Sequence, residues 1–220
     1  MSLLFGQWLT VSHAVTNGLL VWNCRGLRNP RIERELGNYI WAKDPSVMFL
    51  AKTWADEARL DRVLRNFDFN NKWVVSSDNR GGGLALLWKD SVTISVEDSS
   101  KYCIDALIDK GLDQVWHFTG FYDEPITLKR FEAWNKHKSL NTLPHIPWLC
   151  AGDFNEITRQ KEKLGDALRN HNQMQLFREV IDECNFMDLG FVGSNFTWSK
   201  HFEDGHSIWE RLDQDLATNS

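Results

Sequence analysis

One short run of this chain combines residue types and spacing that could do chemistry: Trp148, Leu149, Cys150 and Ala151, then Gly152-Asp153-Phe154-Asn155-Glu156. Four residues suited to a buried strand stop abruptly at a carboxylate and, two residues on, an amide. Asp153 at such a strand end could take a proton from an attacking water, and Asn155 could hydrogen-bond an oxygen on which charge develops. The same spacing also suits an Asx turn, in which the two side chains only bond nearby backbone amides. Residue types alone leave both readings open.

Other candidate stretches are weaker. Asp78-Asn79-Arg80-Gly81-Gly82-Gly83 is rich in glycine but lacks the Gly-Lys-Ser/Thr ending of a phosphate loop, so a turn is expected there. Cys24, Cys103, Cys150 and Cys184 lie far apart without paired spacing, which argues against a zinc knuckle or redox dithiol and for reduced thiols. Lys129, Arg130, Lys136 and Lys138 fall on the expected solvent side of one amphipathic helix, either as a solvated face or as a contact for phosphates. His201 and His206 sit in a polar stretch with no spacing that suggests a shared role.

These residues need elements to position them, and the hydrophobic pattern supplies a mixed set. Strands are expected at Leu19 to Trp22, Val47 to Leu50 and Trp148 to Ala151. A hairpin is expected from Trp73 to Val75 and Leu84 to Trp88, and an antiparallel meander from Val92 to Val96, Cys103 to Ile108 and Val115 to Phe121. Helices are expected from Pro30 to Trp41 (Ile32, Leu36, Tyr39 and Ile40 inward), Asp56 to Leu64, Leu128 to Leu140, and Gln173 to Cys184. The inward set of the last is Met174, Leu176, Phe177, Val180 and Ile181.

The 220 residues, 42% hydrophobic, suit one domain with a sizeable core. A net charge of −5 offers no broad attraction for phosphate backbones, so nucleic-acid binding would require a local patch or a metal ion. Eleven tryptophans are unusually many; core filling accounts for most of them, and several are expected at packed layer boundaries or in a cleft. No run reaches the ~18 apolar residues of a membrane helix, and Met1 to Gly18 lacks a basic start and a small-residue cleavage signal. The expectation is an intracellular chain, nuclear or cytoplasmic, with no signal peptide and no membrane partner. The sequon at Asn195-Phe196-Thr197 matters only in a secreted chain.

Taken in order, several stretches resemble the endonuclease/exonuclease/phosphatase superfamily, most closely the apurinic-type endonuclease domain of plant LINE-type retrotransposons. They are Trp22-Asn-Cys-Arg-Gly-Leu27, Phe49-Leu-Ala-Lys-Thr53, Gly82-Gly-Leu-Ala-Leu-Leu-Trp88, Thr119-Gly-Phe-Tyr122 with Pro125, Gly152-Asp-Phe-Asn-Glu156, Asp188-Leu-Gly-Phe191 with Phe196-Thr-Trp198, and Glu210-Arg-Leu-Asp213. Each alone is weak, but the ordered set is specific. It covers residues 19–220, leaving 1–18 as an extra N-terminal segment. The resemblance implies an α/β (α+β) fold, a four-layer α/β/β/α sandwich of the deoxyribonuclease type, incomplete at its C-terminus. It also implies a Mg2+ cofactor, DNA as partner and no small-molecule cofactor. Family roles carry over to Asn23 (metal site), Tyr122 (phosphate contact), Asp153 and Asn155 (catalysis), and Asp213, which would orient a catalytic histidine. Arg25 and Trp198 are further candidate nucleic-acid contacts, joined by Lys129 and Arg130 from the basic helix.

Two departures from the family pattern bear on activity. Where the family carries a metal-binding glutamate in a Leu-x-Glu-Thr pattern, this chain has Lys52, which removes an oxygen ligand and adds a positive charge. The Ser-Asp-His segment expected beyond Asp213 is not reached by Ser220. The expectation is therefore an ancestrally Mg2+-dependent DNA endonuclease that is weakened or inactive here. The alternatives are an active metal-dependent endonuclease and a non-catalytic nucleic-acid-binding module.

Overall fold

The computed structural model describes residues 7–9, 18–77, 82–123, 130–141, 143 and 145–218. Among them the architecture is mixed α/β, with two large sheets of five and six strands and four helices. The chain divides into two compact units, one of residues Phe5–Gly120 and one built on Phe121–Ser220.

In the first unit, β2 (Leu19–Asn23) and β3 (Val47–Ala51) are buried along their whole length and pair in parallel, from Leu19 opposite Val47 to Asn23 opposite Ala51. Burial on both faces explains why they read as continuous apolar runs instead of alternating ones. Their crossover is α1 (Pro30–Lys43), started by Asn29, whose side chain accepts the Arg31 N–H at 3.0 Å, and by Pro30 in the first turn. Ile32, Leu36 and Ile40 form its buried stripe. The sheet is completed by β1 (Gln7–Leu9) against β2, β5 (Leu84–Trp88) against β3, and β4 (Asn71–Val75) against β5, all antiparallel. The expected hairpin is thus present. Its turn at residues 78–81 lies outside the described residues, as does most of 1–18.

Between β3 and β4 lies α2 (Glu57–Leu64), capped by Asp56; after β5 come β6 (Ile94–Ser99) and β7 (Cys103–Ile108), antiparallel with a bulge between Val96 and Asp98. β8 (Trp116–Tyr122) is buried throughout. Asp105 is buried here, and its carboxylate is satisfied by His117 Nε2 at 2.7 Å and the Thr119 hydroxyl.

In the second unit β14 (Asp213–Thr218) pairs antiparallel with both β9 (Trp148–Asp153) and β11 (Phe186–Asp188). A small sheet joins β10 (Lys163–Leu164), β13 (Ser207–Glu210) and β12 (Trp198–His201). Helix α3 (Arg130–Ser139) and helix α4 (His171–Glu183) bury Trp134 and Phe177, whose rings stack 5.8 Å apart. In α4 the stripe is Met174, Phe177 and Val180, with Ile181 half-buried. Leu176, expected inward, is 44% exposed because it falls off the i, i+3, i+4 stripe. In α3 the expected solvent side is not uniformly free. Arg130 is buried, and Lys138 pairs with Glu183 at 2.7 Å.

All four cysteines are buried and none forms a disulfide, in line with the reduced thiols expected. Burial pushes the Cys24 thiol up to about 12 and the Cys184 thiol up to about 11.

One glycine is indispensable to this packing. A Cβ on Gly152, at φ 146°, would stand 1.9 Å from the Phe121 carbonyl oxygen. Gly152→Ala should therefore destabilise the protein by about 2–4 kcal/mol, read as a lower urea midpoint at unchanged m-value.

Candidate active site

The Gly-Asp-x-Asn run ends β9 in a tight turn. Asp153 is buried, its Oδ1 accepts the Asn155 N–H at 3.0 Å, and Asn155 adopts a left-handed conformation at φ 51°. Asparagine tolerates that region better than most residues. The Asn155 amide nitrogen donates to the Asp123 carbonyl at 2.9 Å, and the Asp123 N–H donates to the Asp153 carbonyl at 2.7 Å. Trp134 Nε1 holds the Asp123 carboxylate at 2.9 Å. The Asx turn is therefore real, and it also fixes both side chains at the strand end next to Tyr122, which closes β8. Tyr122 itself is 9% exposed.

Asp213 stands directly opposite Asp153 across the β9–β14 pair. The flanking Phe154 N–H donates to the Leu212 carbonyl at 2.9 Å, so Asp153 and Asp213 form the non-hydrogen-bonded pair, where Cα atoms approach to about 4.5 Å. Two carboxylates on one face at that spacing repel unless a cation or donors lie between them. The start of β14 is held by the Thr197 hydroxyl oxygen, which accepts the N–H groups of Leu212 and Asp213, both at 3.0 Å. Trp198, the next residue, is half-buried against Ile157, Met174 and Leu212.

Behind the turn lies an ion-pair ladder. Glu156 has no exposed surface; its carboxylate accepts Arg130 Nη1 at 2.8 Å and the Ile157 N–H at 3.0 Å, and Arg169 Nε stands 3.1 Å away as an ion pair without a hydrogen bond. Arg169 continues to Glu210 at 2.9 Å, and Lys163 meets Glu210 at 2.9 Å. Burial raises the Glu156 carboxyl above its ordinary range, opposed by Arg169 and Arg130. Arg130 is thereby committed to the interior and does not belong to an exposed basic face. Lys129 lies outside the described residues. The sequence gives no warning of Arg169, which lies in no motif and looks like an ordinary surface charge; Glu210 opens the Glu210-Arg-Leu-Asp213 stretch, but nothing local marks it as the partner of Arg169 and Lys163.

In the first unit, Asn23 closes β2 and is 9% exposed. The chains leaving β2 and β3 run side by side: Cys24 N–H reaches the Ala51 carbonyl at 3.0 Å, Gly26 N–H the Lys52 carbonyl at 2.8 Å, and Leu27 N–H the Thr53 carbonyl at 2.8 Å. Asn23 and Lys52 are thus brought to neighbouring strand ends. Arg25, Lys52 and Trp54 all have positive φ, at 52°, 52° and 46°. Asp56 serves α2 as its cap, accepting the Arg59 N–H at 2.8 Å, and so does not replace the absent glutamate at 52. Among the described residues no three His, Cys, Asp or Glu side chains converge in a metal-binding cluster.

A family model described as the endonuclease/exonuclease/phosphatase family matches residues 20–209. The chain belongs to this family. Among solved structures, the endonuclease domain of TRAS1, a telomere-specific non-LTR retrotransposon, superposes with a TM-score of 0.64 at 12% identity, over 91% of this chain and 84% of that one. The 3'-5' exonuclease NExo from Neisseria meningitidis gives 0.66 at 14% identity, over 91% and 86%. An AP endonuclease from Archaeoglobus fulgidus gives 0.63 at 11% identity, also over 91% and 86%. At these identities the likeness is one of fold, the deoxyribonuclease I-like arrangement of the endonuclease/exonuclease/phosphatase family. A search of curated proteins finds no match.

This family member also carries a carboxyl outside the motifs. Asp215, two residues beyond Asp213 on the same face of β14, is 4% exposed, and its Oδ1 has no hydrogen bond. Burial pushes it up to about 7, with Arg211 opposing and Asp188 adding to the rise. Its folded pKa is above its unfolded one, so the folded state gains the proton first. The resulting stability is present at acid pH and is lost as pH rises from about 4 toward 7. Denaturation of the wild type should show this loss, on the order of a few kcal/mol, and Asp215→Asn should flatten it. Identical pH slopes for the two proteins would contradict the assignment.

Proposed function

We propose that the chain is a retroelement-type member of the family that acts on DNA phosphodiester bonds, with metal-dependent hydrolysis weakened by Lys52. The observation that carries the reading is the pair of buried carboxylates, Asp153 and Asp213, facing each other at the strand ends with Asn155 fixed beside them. In this reading Asp153 accepts the proton of the attacking water. Asn155 hydrogen-bonds a phosphoryl oxygen, the Tyr122 hydroxyl contacts the phosphate, and Asp213 adds negative field opposite Asp153.

The donor types suit a hard divalent ion, because Mg2+ is commonly held by one or two carboxylates together with substrate phosphates. Asp153 with Asn155 would hold it, and the ion would supply charge stabilisation at the phosphoryl oxygens. Lys52 argues the other way at the end of β3, where the family resemblance calls for a glutamate. An ammonium there cannot ligate a cation and repels one.

The reading of a purely binding module rested on the basic side of α3. Two of its four cations are engaged internally, Arg130 with Glu156 and Lys138 with Glu183, which weakens its support. The family's fold and the paired strand-end carboxylates favour phosphodiester chemistry.

Supercoiled-plasmid nicking in the presence of Mg2+ tests this directly. Weak, EDTA-sensitive nicking is expected for the wild type, none for Asp153→Ala, and a gain of about tenfold or more for Lys52→Glu, corresponding to ~1.4 kcal/mol of barrier. Nicking that survives Asp153→Ala would remove Asp153 from the chemistry. A Lys52→Glu variant no faster than wild type would show that Lys52 is not the lesion.

A further inference from the structure

The unit built on Phe121–Ser220 contains a cleft of about 600 Å³ that none of the catalytic assignments uses. It lies among the turn at residues 158–162, the second half of α4, β11 and the loop at 189–195. Its size is within the range of about 300–1,000 Å³ common for ligand sites.

Most charges on its wall are already spent internally. Arg211 forks onto Asp188 with two bonds of 2.7 Å, and Glu162 accepts the Thr158 hydroxyl and the N–H groups of Thr158 and Arg159. Burial would raise the Asp188 carboxyl, but the Arg211 fork and the Gly190 N–H hold it below the usual range. Arg178 is oriented by the Thr158 carbonyl at 2.7 Å and by Gln175 at 2.8 Å.

Two cations remain. Arg159 and Lys161 are exposed and form no salt bridge among the described residues; the wall's remaining acid, Asp182, is exposed as well. Beside them Phe191 is 45% exposed, with one face held over the Arg211 guanidinium at 4.9 Å. Cations spaced along a rim suit a phosphate backbone, and an oriented, half-open aromatic ring suits an unstacked base. A base inside a duplex cannot present its face to such a ring.

We propose that this cleft binds a single-stranded segment of nucleic acid, with Arg159 and Lys161 on its phosphates and a base stacked on Phe191. The proposal rests on the nucleic-acid reading above but not on hydrolysis. It can be tested on a chain that does not cut.

The experiment uses the full chain carrying Asp153→Asn, in EDTA, with a fluorescein-labelled oligothymidylate of twelve nucleotides followed by anisotropy. Arg159→Ala/Lys161→Ala, both surface changes, should weaken binding about tenfold and flatten the salt slope by about 1.4, the value for two contacts at about 0.7 per single-strand phosphate. Phe191→Ala should cost a similar factor on the single strand and little on the matching duplex. The charge-matched control Arg34→Ala/Arg65→Ala should leave binding unchanged. Unaltered affinity in the Arg159/Lys161 variant would overturn the proposal. So would equal losses on duplex and single strand with Phe191→Ala, or displacement by millimolar inorganic phosphate, which would mark a site for a lone anion. Absence of plasmid nicking by the wild-type chain, with oligonucleotide binding retained, would defeat the hydrolytic reading and leave this one standing.

Discussion

The carboxylate of Glu156 is the point to which the candidate site is tied. It has no exposed surface, so its charge is tolerable only because Arg130 and Arg169 approach within 2.8 and 3.1 Å. Breaking a buried pair by removing one partner typically costs about 3–5 kcal/mol, since the other charge is then stranded. Glu156 follows Asn155 directly, and Arg169 leads on to Glu210, three residues before Asp213. One electrostatic ladder therefore restrains both chain segments that deliver the opposed carboxylates. The left-handed backbone at Asn155 can persist because the surroundings over-determine it.

Much of the fold was legible because its signals are local. The apolar runs of β2, β3 and β9, the Asn29-Pro30 start of α1 and the period of α4 depend on neighbouring residues, and the structure has them at or within a few residues of where the pattern puts them. The strand-end position of Asp153 and Asn155 was legible for the same reason. The sequence left Asx turn and chemistry as alternatives; in the structure the turn is the means by which the two side chains are fixed, so the two readings are compatible.

What could not be read was long-range or two-sided. Arg130 sits on a helix whose charges look solvated, and only the fold reveals a buried glutamate 26 residues on. Leu176 is apolar in a helix of apolar residues, yet it lies outside the stripe by one position. Asp56 lies four residues past Lys52, and its carboxylate is taken up as the cap of α2. For Arg130 the partner is set by tertiary packing, which no short window of sequence contains.

The four buried thiols have a practical corollary. The thiolate is the reactive form, and the environments of Cys24 and Cys184 suppress it while all four sulfurs are screened from solvent. The native chain thus offers electrophilic dyes no competing target. A single cysteine introduced at an exposed position such as Val192 could carry a spectroscopic reporter without deleting any native residue, which makes motions of the 189–195 loop open to direct observation.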